Sequence, residues 1–173
     1  GNSLSHIETA IIIEKGIVIG GKTMREHLEI IDCARAVDFI TKHAGNKDNI
    51  SCDDILTIHK IVSEKRDLSF GSDFMQWLHT VNDHPVIIAA LAHYKLVTTH
   101  PFIDGNGLAS EALAKEARTA RLLMNLLLLQ QGYPLAIIQK EKRPEYIAAI
   151  EHASSVHPEL VEGDDMNAFY KVI

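Results

Sequence analysis

The sequence has little of the features that betray a specialised class of protein. Cysteine is scarce: Cys33 and Cys52 are the only two in 173 residues, and no CxxC pair is present. Two isolated thiols are half a zinc ligand set, and a chain of this size has no need of a staple. They read as reduced thiols, which points to the cytoplasm. No apolar run comes near the ~20 residues a membrane helix needs, and no basic leader with an apolar core opens the chain. An excess of basic residues is also missing. Lys and Arg number 17 against 23 Asp and Glu, a formal charge of −6. That balance speaks against a general nucleic-acid binder held by counterion release, although it leaves room for a local basic pocket. Linkers, repeats and low-complexity tracts are absent as well. With 46% apolar and 23% charged residues the composition is that of an ordinary globular domain, and the expectation is one domain over residues 1–173.

What is there is helical patterning. Ser5-His-Ile-Glu8 and Thr23-Met-Arg-Glu26 both have capping-box spacing. The first opens a short helix toward Ile13. The second leads a long amphipathic segment through Leu28, Ile31, Ala34, Val37 and Ile40 to Gly45. Between them, Gly16–Gly21 reads as a short extended turn. Ser51 and Asp53 can cap a third helix, residues 65–73 form a polar connector, and a short helix surrounds Phe74–Leu78. Pro85 sits in the first turn of an apolar helix that runs to about Val97, where its missing N–H costs little. A second apolar helix runs from about Ala109 to Gln131 and is stopped by Gly132-Tyr-Pro134. Two last helices are expected at Arg143–His152 and about Pro158–Val172. The fold class is all-α.

The informative stretch is His100-Pro-Phe-Ile-Asp-Gly-Asn-Gly107, between the two apolar helices. It places an imidazole, a carboxylate and a Gly-Asn-Gly turn at a helix N-terminus. Free backbone N–H groups and the macrodipole make such a terminus suited to anions. Gly105 and Gly107 allow close approach of the backbone to a phosphate, and Asn106 adds an amide donor. Asp104 is a hard oxygen ligand suited to Mg²⁺, and His100 is a base at neutral pH. Together these are the parts of a phosphoryl or nucleotidyl transfer site. A histidine-bound metal built from His84, His93, His100 and Asp104 is the weaker reading, because it gives the Gly-Asn-Gly turn no purpose. Tyr94 and Trp77 read as core, and Lys140–Arg143 as a solvated helix start.

The stretch resembles the Fic family motif, HPFxDGNGR followed shortly by another Arg. The likeness extends to Ala89–Val97 before it, to Arg118–Asn125 after it, and to Gly20–Glu29 near the start. The resemblance implies a Fic-type helical bundle with its active-site loop between two central helices. It also implies transfer of AMP from ATP to a Ser, Thr or Tyr hydroxyl of a protein. Carried onto this sequence, it makes His100 the base and Asp104 the Mg²⁺ ligand. Gly105, Asn106 and Gly107 hold the phosphates, Phe102 sets the loop, and Arg118 and Arg121 supply the guanidinium groups. Expected partners are ATP, Mg²⁺ and a protein substrate, with no nucleic acid and no membrane. A homodimer, including one that exchanges a helix, is compatible.

Three departures accompany the match. Ten residues, Leu108–Ala117, stand between Gly107 and Arg118, where the family motif has none. Nearly all are strong helix formers, which favours ~15 Å of added helix and carries Arg118 and Arg121 away from the phosphates. Leu108 and Glu111 would then face the phosphates instead. The need of Leu122, Leu123, Leu126 and Leu127 to meet the core favours a looped-out insertion, and helix exchange between two chains is a third solution. Ser63–Asp73 is too short for the flap with which the family aligns its target. The family's inhibitory Glu would lie upstream of Gly1. The expected activity is therefore impaired adenylyl transfer, with a catalytically silent binding module on the same fold as the alternative.

Overall fold

A computed structural model describes residues 3–46, 48–63, 72–99 and 109–156. Among these residues there are seven α-helices and no strand. The connector before Ser72, the final segment from Pro158 and the His100–Leu108 stretch lie outside them.

Local chemistry sets the helix ends. In α1 (His6–Lys15) the Ser5 hydroxyl accepts the Glu8 N–H, and the Glu8 carboxylate accepts the Ser5 N–H at 2.8 Å. α2 (Met24–Ala44) repeats the device with Thr23 and Glu26. α3 (Cys52–Ser63) does so with Ser51 and Asp54, whose carboxylate accepts the Ser51 N–H at 2.7 Å. Asp53 lies inside that first turn, so the capping partner of Ser51 is its neighbour Asp54. The Gly16–Thr23 link between α1 and α2 contains no strand. It is pinned by His27, whose Nε2 accepts the Ile19 N–H at 2.9 Å while Nδ1 donates to the Thr23 carbonyl at 2.7 Å.

α4 (Ser72–Thr80), α5 (Pro85–Thr99), α6 (Ala109–Gln130) and α7 (Arg143–Val156) complete the set. α5 is the central helix, apolar all round because it is covered on several sides. On one side Ala92 and Leu96 join Ala36 and Ile40 of α2, Ile55 and Ile58 of α3, and Leu123 and Leu126 of α6 in the main core. On another, Ala90, Leu91 and Tyr94 pack against Tyr146, Ala149 and Ala153 of α7. Tyr94 is thus core, and Trp77 is half-buried with the Lys95 ammonium 4.9 Å from its ring centre. The basic run at 140–143 is a 3-10 turn leading into α7, with Lys142 paired to Glu145.

α6 ends in a Schellman motif. The Gly132 N–H bonds the Leu129 carbonyl and the Tyr133 N–H the Leu128 carbonyl, both at 3.0 Å, with Gly132 at φ +79°. The chain then folds back along α6, held by Asn125. Its amide accepts the Ala136 N–H at 2.7 Å and donates to the Ala136 carbonyl at 3.2 Å.

Nothing lies within 4 Å of where a Cβ on Gly132 would stand, so Gly132→Ala meets no clash and tests the left-handed backbone alone. Urea unfolding is expected to show a loss of about 1 to 2 kcal/mol. An unchanged midpoint would mean that the helix does not end in this conformation.

Candidate functional site

α5 and α6 run antiparallel, and their side chains fix the register between them. Ala89 is buried with Met124 and Leu128, while His93 lies against Ala120 and Arg121. Continuing that pairing, Thr99 at the end of α5 comes level with about Ala114. The first turn and a half of α6, residues 109–113, therefore extends roughly 7 Å beyond α5. The ten added residues do not loop out, since α6 is unbroken from Ala109. Nor do they push the later leucines out of place: Leu122, Leu123 and Leu126 are buried in the main core. Propensity and core register are thus satisfied together.

By the same pairing, Arg118 and Arg121 stand level with the second half of α5. Arg118 stands nine residues along α6, ~14 Å from Ala109. The other predicted site residues, His100, Phe102, Asp104, Gly105, Asn106 and Gly107, lie outside the described residues, as does Leu108. Of the whole set, the structure places the two arginines, and it places them side by side.

Their surroundings come from four helices. Arg118 forms an ion pair with Glu29 of α2 at 3.1 Å, both side chains about a quarter exposed. Thr119 points the other way, fully buried, with its hydroxyl 3.0 Å from Nδ1 of His59 on α3. That buried bond fixes the rotation of α6, so Arg121 turns toward α7. There its guanidinium lies near the Tyr146 hydroxyl, which is 2.9 Å from Nε2 of His93 on α5. Among the described residues no carboxylate pairs with Arg121, and the positive charge of Arg118 lies nearby.

Burial pushes the His93 imidazole down to about 4, and the Arg121 charge adds to the shift. Burial also raises the Tyr146 phenol, against the pull of Arg121, and lowers the guanidinium itself. His93 is thus neutral at physiological pH and Arg121 charged. Among the described residues no group of three His, Cys, Asp or Glu could hold a metal; His93 is committed to Tyr146. Asp104, an oxygen donor of the kind Mg²⁺ prefers, is the residue whose chemistry fits that ion. Glu29, His59, His93, Thr119 and Tyr146 carry no sequence signal of their own, because each owes its place here to a partner on another helix.

Residues 42–128 match the Fic/DOC family. The chain belongs to that family. Protein adenylyltransferase fic-1 of Caenorhabditis elegans is 36% identical over 184 positions, covering 89% of this chain and 34% of the relative. Protein adenylyltransferase Fic of Drosophila melanogaster is 36% identical over 174 positions, covering 84% of this chain and 33% of the relative. The chain thus spans about a third of the length of these Fic relatives. An alignment of 184 positions exceeds the chain's own 173 residues, so the nematode protein carries segments with no counterpart here. The solved structure of Fic-1 from C. elegans superposes with a TM-score of 0.76 at 32% identity, covering 99% of this chain and 55–56% of that one. A Fic domain containing signaling protein from Bacteroides thetaiotaomicron gives a TM-score of 0.79 over 99% of this chain and 76% of that one. At 20% identity, that second likeness speaks for the fold alone.

A histidine held neutral in the fold but free to charge when unfolded contributes its full stability above its ordinary value near 6.5. That contribution fades as pH falls toward 4. Between pH 7.5 and pH 5 this group is expected to remove about 2 kcal/mol of unfolding free energy. His93→Gln, which does not titrate, is expected to flatten the pH dependence of the urea midpoint by that amount. Parallel profiles for the two proteins would show that His93 is not buried in its neutral form.

Proposed function

We propose that this chain is the catalytic part of a protein adenylyltransferase that moves AMP from ATP to a Ser, Thr or Tyr hydroxyl on a protein. The observation that carries the reading is the His100–Gly107 sequence, joining α5 to α6 inside the segment that matches the Fic/DOC family. His100 takes the proton from the acceptor hydroxyl. The freed oxygen bonds the α-phosphorus while the bond from that phosphorus to the β-phosphate bridging oxygen breaks, and pyrophosphate leaves. Gly105, Asn106 and Gly107 hold the phosphates through N–H and amide donors, with Phe102 setting the loop. Asp104 would hold Mg²⁺, which when bound neutralises charge on the phosphates.

Arg118 and Arg121 supply positive charge from one side. Arg121 is the better placed to receive an anion, since a buried guanidinium without a carboxylate partner is satisfied by a phosphate. The relatives named adenylyltransferases favour an enzyme over a catalytically silent module. The overhang of α6 bears on efficiency, because it separates the glycine turn from the two arginines and weakens the grip on ATP. α6 finds its packing surface on its own chain, so helix exchange is not part of this reading. Cys33 and Cys52, both free, suit a reducing compartment such as the cytoplasm.

The test is transfer of label from ATP marked on the α-phosphate to lysate proteins, beside a His100→Ala twin. Label is expected with the wild type and lost in the twin, and removal of residues 108–117 is expected to tighten Mg·ATP binding about tenfold. Label that survives His100→Ala would remove His100 as the base. Absence of label from the wild type and the deletion alike would overturn the activity.

A further inference from the structure

α2 and α6 run side by side in the same direction. Glu29 of α2 meets Arg118 near the middle of α6. Beyond the end of α2, the Asp48 carbonyl accepts the Gln130 amide at the end of α6, at 2.9 Å. Between these two contacts, Ala36 and Ile40 share one buried cluster with Leu122, Leu123 and Leu126. Glu29 therefore stands at a packed seam, with its Oε1 3.1 Å from Nη2 of Arg118. A guanidinium carries five N–H donors in a rigid plane, and a carboxylate engages at most two of them at once. The rest of the fork remains for a second anion. The same Oε1 lies 3.7 Å from Nε of Arg25, one turn back on α2. Two guanidinium groups thus share one carboxylate, and the three keep a net charge of +1.

We propose that Glu29 is a positioning residue for the proposed nucleotide site: from α2 it holds the Arg118 guanidinium in place, and Arg25 offsets part of its charge. The inference rests on the reading of Arg118 as a phosphate-facing group. An arginine that nothing holds loses rotamer entropy each time it meets a phosphate. An ion pair to the neighbouring helix removes much of that loss beforehand. Both side chains are only about a quarter exposed, so solvent and salt screen the pair less than a surface one. The same carboxylate also repels a phosphate, and the two effects oppose each other. Arg25 tips the balance, because its charge beside the shared oxygen cancels part of that repulsion. α2 thereby serves the site through Arg118.

Glu29→Ala removes the hold and keeps a strong helix former at that position. Glu29→Gln removes the charge and keeps an oxygen acceptor. The first readout needs no nucleotide. By NMR relaxation, the order parameter of the Arg118 Nε–H, assigned with Arg118→Lys, is expected to be high in the wild type and in Glu29→Gln. In Glu29→Ala it is expected to fall below about 0.6. By calorimetry, Glu29→Ala is expected to bind Mg·ATP about 3- to 10-fold more weakly, and Glu29→Gln at least as tightly as the wild type. Added to Arg118→Gln, Glu29→Ala is expected to cause no further weakening. Equal order in the wild type and Glu29→Ala overturns the proposal. So does Mg·ATP binding that Glu29→Ala leaves unchanged or tightens, since Glu29 would then compete with the phosphates. Equal weakening by Glu29→Gln and Glu29→Ala also overturns it, as does weakening that persists in Arg118→Gln. If the wild type binds no Mg·ATP, the functional reading falls and takes the nucleotide role of Glu29 with it. The order parameters alone then decide whether Glu29 fixes Arg118.

Discussion

The antiparallel seam between α5 and α6 is the constraint on which the rest of the molecule depends. Small residues make it close: Ala89 and Ala92 on one helix, Ala120 on the other, each buried almost completely. With so little side chain between the backbones, sliding one helix past the other by a residue would set Leu123, Met124 and Leu126 against the wrong neighbours. Packed interiors do not absorb such a shift gradually. The seam therefore decides where extra length can go. Ten added residues cannot move the leucines, so they lengthen α6 at its free end, beyond the last turn of α5.

This ordering of forces has a direct chemical consequence. In the proposed reading, a family motif that runs through the glycine turn into the first arginine has two parts here, with ten residues of sequence between them. One, His100 to Gly107, lies between α5 and α6 in the sequence. The other, Arg118 and Arg121, is tied to the core by Thr119, Glu29 and Tyr146. A phosphate site needs donors converging on one group of oxygens, and electrostatic preorganisation weakens quickly with distance.

Much of the fold was legible in the sequence because its signals are local. Ser5 with Glu8, Thr23 with Glu26 and Gly132 before Tyr133 set helix ends through contacts within a few residues, and the apolar run after Pro85 marked the central helix. The motif was equally plain, since its chemistry lies in eight consecutive residues. What the sequence did not reveal joins distant positions: Glu29 to Arg118, His59 to Thr119, and Tyr146 to both Arg121 and His93. Each of these is an ordinary helix residue until tertiary packing supplies its partner. For the insertion, the sequence carried two true signals that seemed opposed. The helix propensity of Ala112–Ala117 and the core demand of Leu122–Leu126 were both obeyed, because α6 is continuous from Ala109 and still sets those leucines in the core.

The most direct test of the seam's primacy is a distance between nitroxide labels at Val86, at the start of α5, and Ser110, at the start of α6. Both cysteines are replaced by Ser, and the distance is read by pulsed electron resonance. With the register held and α6 continuous, a single narrow distribution centred at about 27 Å is expected, from 17 helical rises and one interhelical spacing. A broad distribution, or a principal distance well below that value, would mean that the ten residues loop away from the helix.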